Sequence, residues 1–132
     1  MAAETFQFDL VSPERSLASF QASAVQLPGS EGDLTAMAGH WPMITTLRPG
    51  MARVTVDGNV LEFAVVGGFA EITAGNVTVL AERAFEKGDE ARAALEKMLA
   101  DARTEAEAAK GPERDIATEL VYDFVHLLEN MQ

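Results

Sequence analysis

Two histidines, one tryptophan and a scatter of acids are the residues of this 132-residue chain that could do chemistry. His40 lies between Gly39 and Trp41-Pro42, and His126 falls in a region of helical periodicity. A hydrolase needs a nucleophile beside its base, or paired carboxylates with separated pKa values. Neither arrangement is visible, so no catalytic residue is assigned. A lone loop histidine more often bonds its own loop, and a lone helical one sits structurally or at the surface. Cysteine is absent and no HxH or HExxH spacing occurs, so no metal site is assigned either. Gly67-Gly68 and Pro28-Gly29-Ser30-Glu31-Gly32 are glycine-rich, but neither is followed by GK[ST]. Both read as turns in a β-domain instead of phosphate loops. The one enzyme reading left is a carbohydrate-active or cupin-like β-sandwich pairing His40 with Glu31. It requires a metal or a concave pocket at that loop.

The segment Leu27–Gly50, LPGSEGDLTAMAGHWPMITTLRPG, holds four of the ten glycines, three of the five prolines and the tryptophan. Such density predicts a loop of specified shape, and shaped loops on a rigid scaffold usually contact something. An exposed Trp41 would mark a protein interface, where aromatics are enriched, and a buried one would mean core packing.

The elements that must position this segment divide into two grammars. Residues 1–84 carry eight of the glycines and short β-patterned runs. Phe6, Phe8 and Leu10 alternate with polar residues, and Ser12-Pro13 stops the run. Ala52, Val54 and Val56 lead into Asp57-Gly58, a type I′ hairpin signal, with Val60–Val66 as the return strand. Gly67-Gly68 predicts a bulge or a close backbone approach. Phe69–Thr73 and Val77–Ala81 flank Gly75-Asn76 as another hairpin. The expectation is an all-β sandwich of about ten short strands.

Residues 85–132 carry two glycines and abundant alanine. Asp89 is placed as the cap of a helix running to about Ala109, with Arg92 pairing to it. Ala91, Ala94, Leu95, Met98, Ala102 and Ala106 form its apolar stripe. Gly111-Pro112 ends it and opens a second helix striped by Ile116, Leu120, Val121, Phe124, Leu127, Leu128 and Met131. The result is an antiparallel two-helix hairpin, marginal by itself, whose stability depends on docking. Such conditional stability suits a moving element.

A net charge of −11 argues against nucleic acid or an anionic membrane surface as a direct partner. MAAETFQFDL lacks a basic segment followed by an apolar run, and no stretch approaches the ~20 apolar residues of a membrane span. A cytoplasmic chain with no direct membrane insertion is expected.

FDLVSPER (Phe8–Arg15), the Leu27–Gly50 segment, VVGGFAEI (Val65–Ile72) and VTVLAE (Val77–Glu82) closely resemble the epsilon subunit of bacterial F-type ATP synthases, in an alphaproteobacterial flavour. The resemblance spans essentially the whole chain. Thr35 and Ala38 stand where the family usually has glycine and proline, and Trp41 where it has a small residue. The resemblance implies a non-catalytic rotor subunit of the central stalk, peripheral on the cytoplasmic face of the inner membrane, coupling c-ring rotation to ATP synthesis. It implies a sandwich that clamps the gamma subunit and stands on the polar loops of the c-ring. Ser30, Glu31, Gly32 and Asp33, with His40, match the ring-facing loops, Met43 with its apolar neighbours faces gamma, and Trp41 is counted to the same c-ring and gamma interface. The hairpin would reach the catalytic alpha/beta head transiently and restrain ATP hydrolysis. Some family members bind ATP through [I/L]DxxRA. Here Asp89 and Arg92 match the motif, but Gly88 replaces the aliphatic residue, so an ATP-sensing domain is the alternative reading and regulatory ATP the only cofactor considered. From Glu113 to Gln132 there are five acids against Arg114 alone, which predicts a weak inhibitor.

Overall fold

The computed structural model describes residues 4–131. Ten strands come first: β1 (Phe6–Val11), β2 (Ser16–Ala22), β3 (Ala24–Gly29), β4 (Gly32–Ala36), β5 (Met43–Thr46), β6 (Gly50–Val56), β7 (Asn59–Val66), β8 (Phe69–Ile72), β9 (Asn76–Leu80) and β10 (Arg83–Glu86). Two helices follow, α1 (Asp89–Ala108) and α2 (Pro112–Asn130). The chain falls into two compact units that meet between Glu86 and Lys87.

The first unit is the expected sandwich, built from two five-stranded sheets ordered β2-β1-β9-β8-β5 and β10-β7-β6-β3-β4. Every neighbouring pair is antiparallel except β1 and β9, which run parallel. Alternation decides the faces. Phe6, Phe8 and Leu10 point inward beside Ala70, Ile72, Val77 and Val79 of the same sheet. Val25, Leu27, Val54, Phe63 and Val65 of the other sheet share that core. Each large side chain buried there stabilises the fold by about 1.5–3 kcal/mol. Among the described residues no buried side-chain polar atom lacks a hydrogen-bond partner.

The expected turns are in place. Asp57 and Gly58 both have positive φ (49° and 80°), the signature of a type I′ connection between β6 and β7. Gly68 (φ 93°) is a close approach: a Cβ there would clash with the Leu80 carbonyl oxygen. Its own carbonyl accepts from the Leu47 amide.

Leu27–Gly50 is not the loop that its glycines and prolines suggest. It contains the end of β3, all of β4 and β5, and the first residue of β6. Pro28 lies past the three-residue ladder between β3 and β6, where a missing N–H is tolerated. Glycine and proline therefore obscured two edge strands.

In the second unit α1 and α2 are joined at Gly111 (φ 64°), which caps α2 ahead of Pro112. Gly88, not Asp89, is the N-cap of α1, and no side chain caps that end. The helix already begins at Asp89, because the Arg92 amide donates to the Gly88 carbonyl. The Asp89 carboxylate thus acts on the helix dipole and not as a cap. The expected α2 stripe is present except for Ile116. Ala117, Phe124, Leu127 and Leu128 are buried, whereas Ile116 is 69% exposed. One residue of displacement on a 3.6-residue turn carries Ile116 about 100° away from Ala117.

Candidate functional site

The β3–β4 turn carries Ser30, Glu31, Gly32 and Asp33, all exposed. It is tied to the far end of β5. The Ser30 amide donates to the Thr46 carbonyl (2.9 Å), and the Ser30 and Thr46 hydroxyls lie 2.6 Å apart. The Arg48 amide donates to the Pro28 carbonyl (3.0 Å), and its guanidinium pairs with Asp33 at 3.1 Å. A braced turn results, in which Asp33 is held by Arg48 and Glu31 stands exposed at the tip.

His40 and Trp41 lie elsewhere. They occupy the connection that leaves the other end of β4, and the three rises of about 3.3 Å from Asp33 to Ala36 put about 10 Å of strand between the two groups. That connection is fixed by the Gly39 amide on the Ala74 carbonyl (2.9 Å) and the His40 amide on the Met37 carbonyl (3.1 Å). His40 Nδ1 lies 2.7 Å from the Trp41 carbonyl oxygen. A carbonyl only accepts, so Nδ1 carries the proton and the ring braces its own loop. Trp41 is 83% exposed, so it does not pack in the core. The pairing of His40 with Glu31 is overturned, because the strand between them keeps them apart. Among the described residues no three His, Asp or Glu side chains are grouped to hold a metal.

Sequence reasoning missed a third region. The register of the β2-β1-β9-β8-β5 sheet places Ile44, Glu71, Thr78, Asp9 and Ser19 in one outward row, and Thr46, Phe69, Leu80, Val11 and Ser16 in the next. Toward β2 this outer face is polar: Gln7, Asp9, Ser19 and Gln21 hydrogen-bond among themselves. Toward β5 large apolar side chains stand out among Thr46, Glu71 and Thr78, with Ile44 69% exposed and Phe69 and Leu80 each 39%. Val11, Pro13, Gly68, Phe69, Leu80 and Glu82 line a groove of about 410 Å³ there. The missed signal was parity. Phe69 and Leu80 share the outward phase of Glu71 and Thr78 yet remain apolar, and such a patch on a soluble domain marks a contact site. Met43 pairs with Ile72, on the inward phase, so its neighbour Ile44 presents the larger apolar surface outward.

In the helical unit Asp89 and Arg92 are not brought together. Arg92 Nη2 donates to the Leu128 carbonyl of α2 at 3.2 Å, and Nη1 lies 3.6 Å from Glu96.

A family model described as the beta-sandwich domain of the ATP synthase delta/epsilon chain matches residues 5–87. The ATP synthase epsilon chain of Ruegeria sp. (strain TM1040) is 50% identical over 130 residues, covering 98% of this chain and 93% of that one. The epsilon chain of Paracoccus denitrificans (strain Pd 1222) is 52% identical over 132 residues, covering 98% and 88%. Among solved structures, a chain of the Euglena gracilis mitochondrial ATP synthase superposes with a TM-score of 0.74 at 21% identity, covering 98% of this chain and 83% of that one. A chain of the Tetrahymena thermophila mitochondrial ATP synthase central stalk and c-ring gives 0.66 at 16% identity, covering 98% of each. At those identities the likeness shows the fold.

Proposed function

The chain belongs to the ATP synthase epsilon chain family, and from that membership we propose that it is a rotor subunit which grips gamma with one face of its sandwich and stands on the c-ring with one turn. An epsilon chain is a non-catalytic subunit of the synthase complex. No helix among the described residues is long and apolar enough to cross a membrane. Attachment through partners on the cytoplasmic face of the inner membrane fits that fact.

The observation that carries the reading is the split outer face. Phe69, Leu80 and Val11 form one apolar row, with Ile44 diagonal to Phe69 on β5, beside the polar network of β1 and β2. A gamma surface seated on that zone would remove apolar area from water, the term that dominates association. Trp41, with Met43, extends the contact at the far end of β4. The Ser30–Asp33 turn is small, rigid and acidic, which suits polar loops of a ring and not a hydrophobic clamp. The two groups of residues therefore serve two partners, gamma for His40, Trp41 and Met43, and the c-ring for Ser30, Glu31, Gly32 and Asp33. This separation refines the expectation that His40 shares the ring-facing surface.

The hairpin is proposed as a weak restraint on ATP hydrolysis. Its second helix exposes Glu113, Asp115, Glu119 and Glu129 and has no basic residue in its last turn. An acidic surface in the catalytic head would repel it. Regulatory ATP at Asp89 and Arg92 finds little support, since the Arg92 guanidinium already serves Leu128 and Glu96.

The test is photo-crosslinking in the assembled complex from a probe at position 31 or position 41. The proposal expects the c-ring subunit from position 31 and gamma from position 41. The same partner from both positions would refute the two-surface reading.

A further inference from the structure

We infer that Arg92 is the latch of the helical hairpin, a guanidinium carried by the first turn of α1 that caps the C-terminus of α2. The position is wrong for its own helix. A cation near a helix N-terminus opposes the dipole, and Asp89 and Glu90 supply the favourable charge there. It is right for the neighbouring one. The antiparallel turn at Gly111 sets the start of α1 beside the end of α2, and that end has no basic residue in its last turn. It even carries an acid, Glu129.

The last four carbonyls of a helix have no partner within it. In α2 one of these is Leu128, which receives the Arg92 Nη2 donor at 3.2 Å and the Met131 amide at 3.2 Å. Glu96, one turn further along α1, lies 3.6 Å from Arg92 Nη1 and holds the fork toward α2. Charge, geometry and the missing local cation thus converge on one contact. Separating the two helices requires that it break, so the latch sets how readily the hairpin opens at its Gly88 end. The inference rests on the hairpin alone and stands whether or not the sandwich binds gamma.

Amide hydrogen exchange on the full chain tests it, with the amides of Phe8 and Val54 as the sandwich reference. In Arg92→Ala the amides of Leu128 to Met131 are expected to exchange about fivefold faster, while those near Gly111 and in the sandwich keep their rates. Arg92→Lys is expected to fall between, because an ammonium keeps the charge but loses the fork. Glu96→Gln should speed the same amides by a smaller factor. Unchanged exchange at the end of α2 in Arg92→Ala would overturn the inference, and so would acceleration spread evenly over both ends of the hairpin. Should Arg92→Ala melt the helices altogether, Arg92→Lys decides. Faster exchange confined to the end of α2 supports the latch, and even loss along both helices contradicts it.

Discussion

The sandwich and the hairpin solve the same problem, a small chain with limited apolar area, by opposite means. The sandwich closes strands from distant parts of its sequence over one core in which Phe8, Leu10, Leu27 and Ile72 are wholly buried. The hairpin joins two consecutive helices across the three residues 109–111, with small alanines at Ala91, Ala102 and Ala117 among its few buried positions. Long-range pairing makes the sandwich cooperative and rigid, fit to carry fixed contact surfaces. The hairpin's interface is short, local and closed by a few large side chains, so it is expected to open at lower cost than the sandwich. The difference teaches where function belongs: shape recognition in the first unit, adjustable state in the second.

The sharpest way to break that comparison is to damage each unit and ask whether the other notices. Leu10→Ala, in the centre of the sandwich, should lower global stability by about 3–5 kcal/mol. Urea unfolding followed by circular dichroism would measure it, and a loss under about 1 kcal/mol would mean that the core is not the sandwich's support. Gly68→Ala comes next. Its Cβ would clash with the Leu80 carbonyl oxygen in a backbone conformation that side chains rarely adopt, so about 2–3 kcal/mol is expected. A neutral result would show that the β7–β8 connection can shift without consequence.

Leu95→Ala should have a smaller and different effect. About 2 kcal/mol is lost, and it appears as faster amide exchange in α1 and α2 while Phe8 and Val54 stay protected. Uniform acceleration across both units would merge them into one cooperative body. Trp41→Ala should leave stability within about 0.5 kcal/mol, since the side chain is exposed, yet weaken capture of gamma. Loss of stability without loss of capture would move Trp41 from the contact surface to the scaffold.

Much of this was readable from residues. The alternation of Phe6, Phe8 and Leu10, the Asp57-Gly58 turn and the Gly111-Pro112 junction each name a local conformation that few other residues would adopt. The edge strands β4 and β5 were hidden because glycine and proline in Leu27–Gly50 mimic a loop, and because edge strands need only one partner. Asp89 seemed a cap because the residue type suits one, but a cap is defined by where helical backbone begins, which only Gly88 and the turn before it determine. The latch could not be read at all. Arg92 and Leu128 are far apart in sequence, and nothing in either local pattern says that one carbonyl of α2 meets that guanidinium. The apolar zone at Ile44, Phe69 and Leu80 was recoverable only with strand register, which fixes the outward face.

The central claim is that the sandwich supplies the attachment and the hairpin does not. Co-purification of gamma with the full chain and with a chain ending at Glu86 tests it most directly. The account predicts that both retain gamma, and that assembled enzyme carrying the shortened chain hydrolyses ATP only slightly faster. Failure of the folded full chain to hold gamma would contradict it, as would loss of gamma on removing the hairpin.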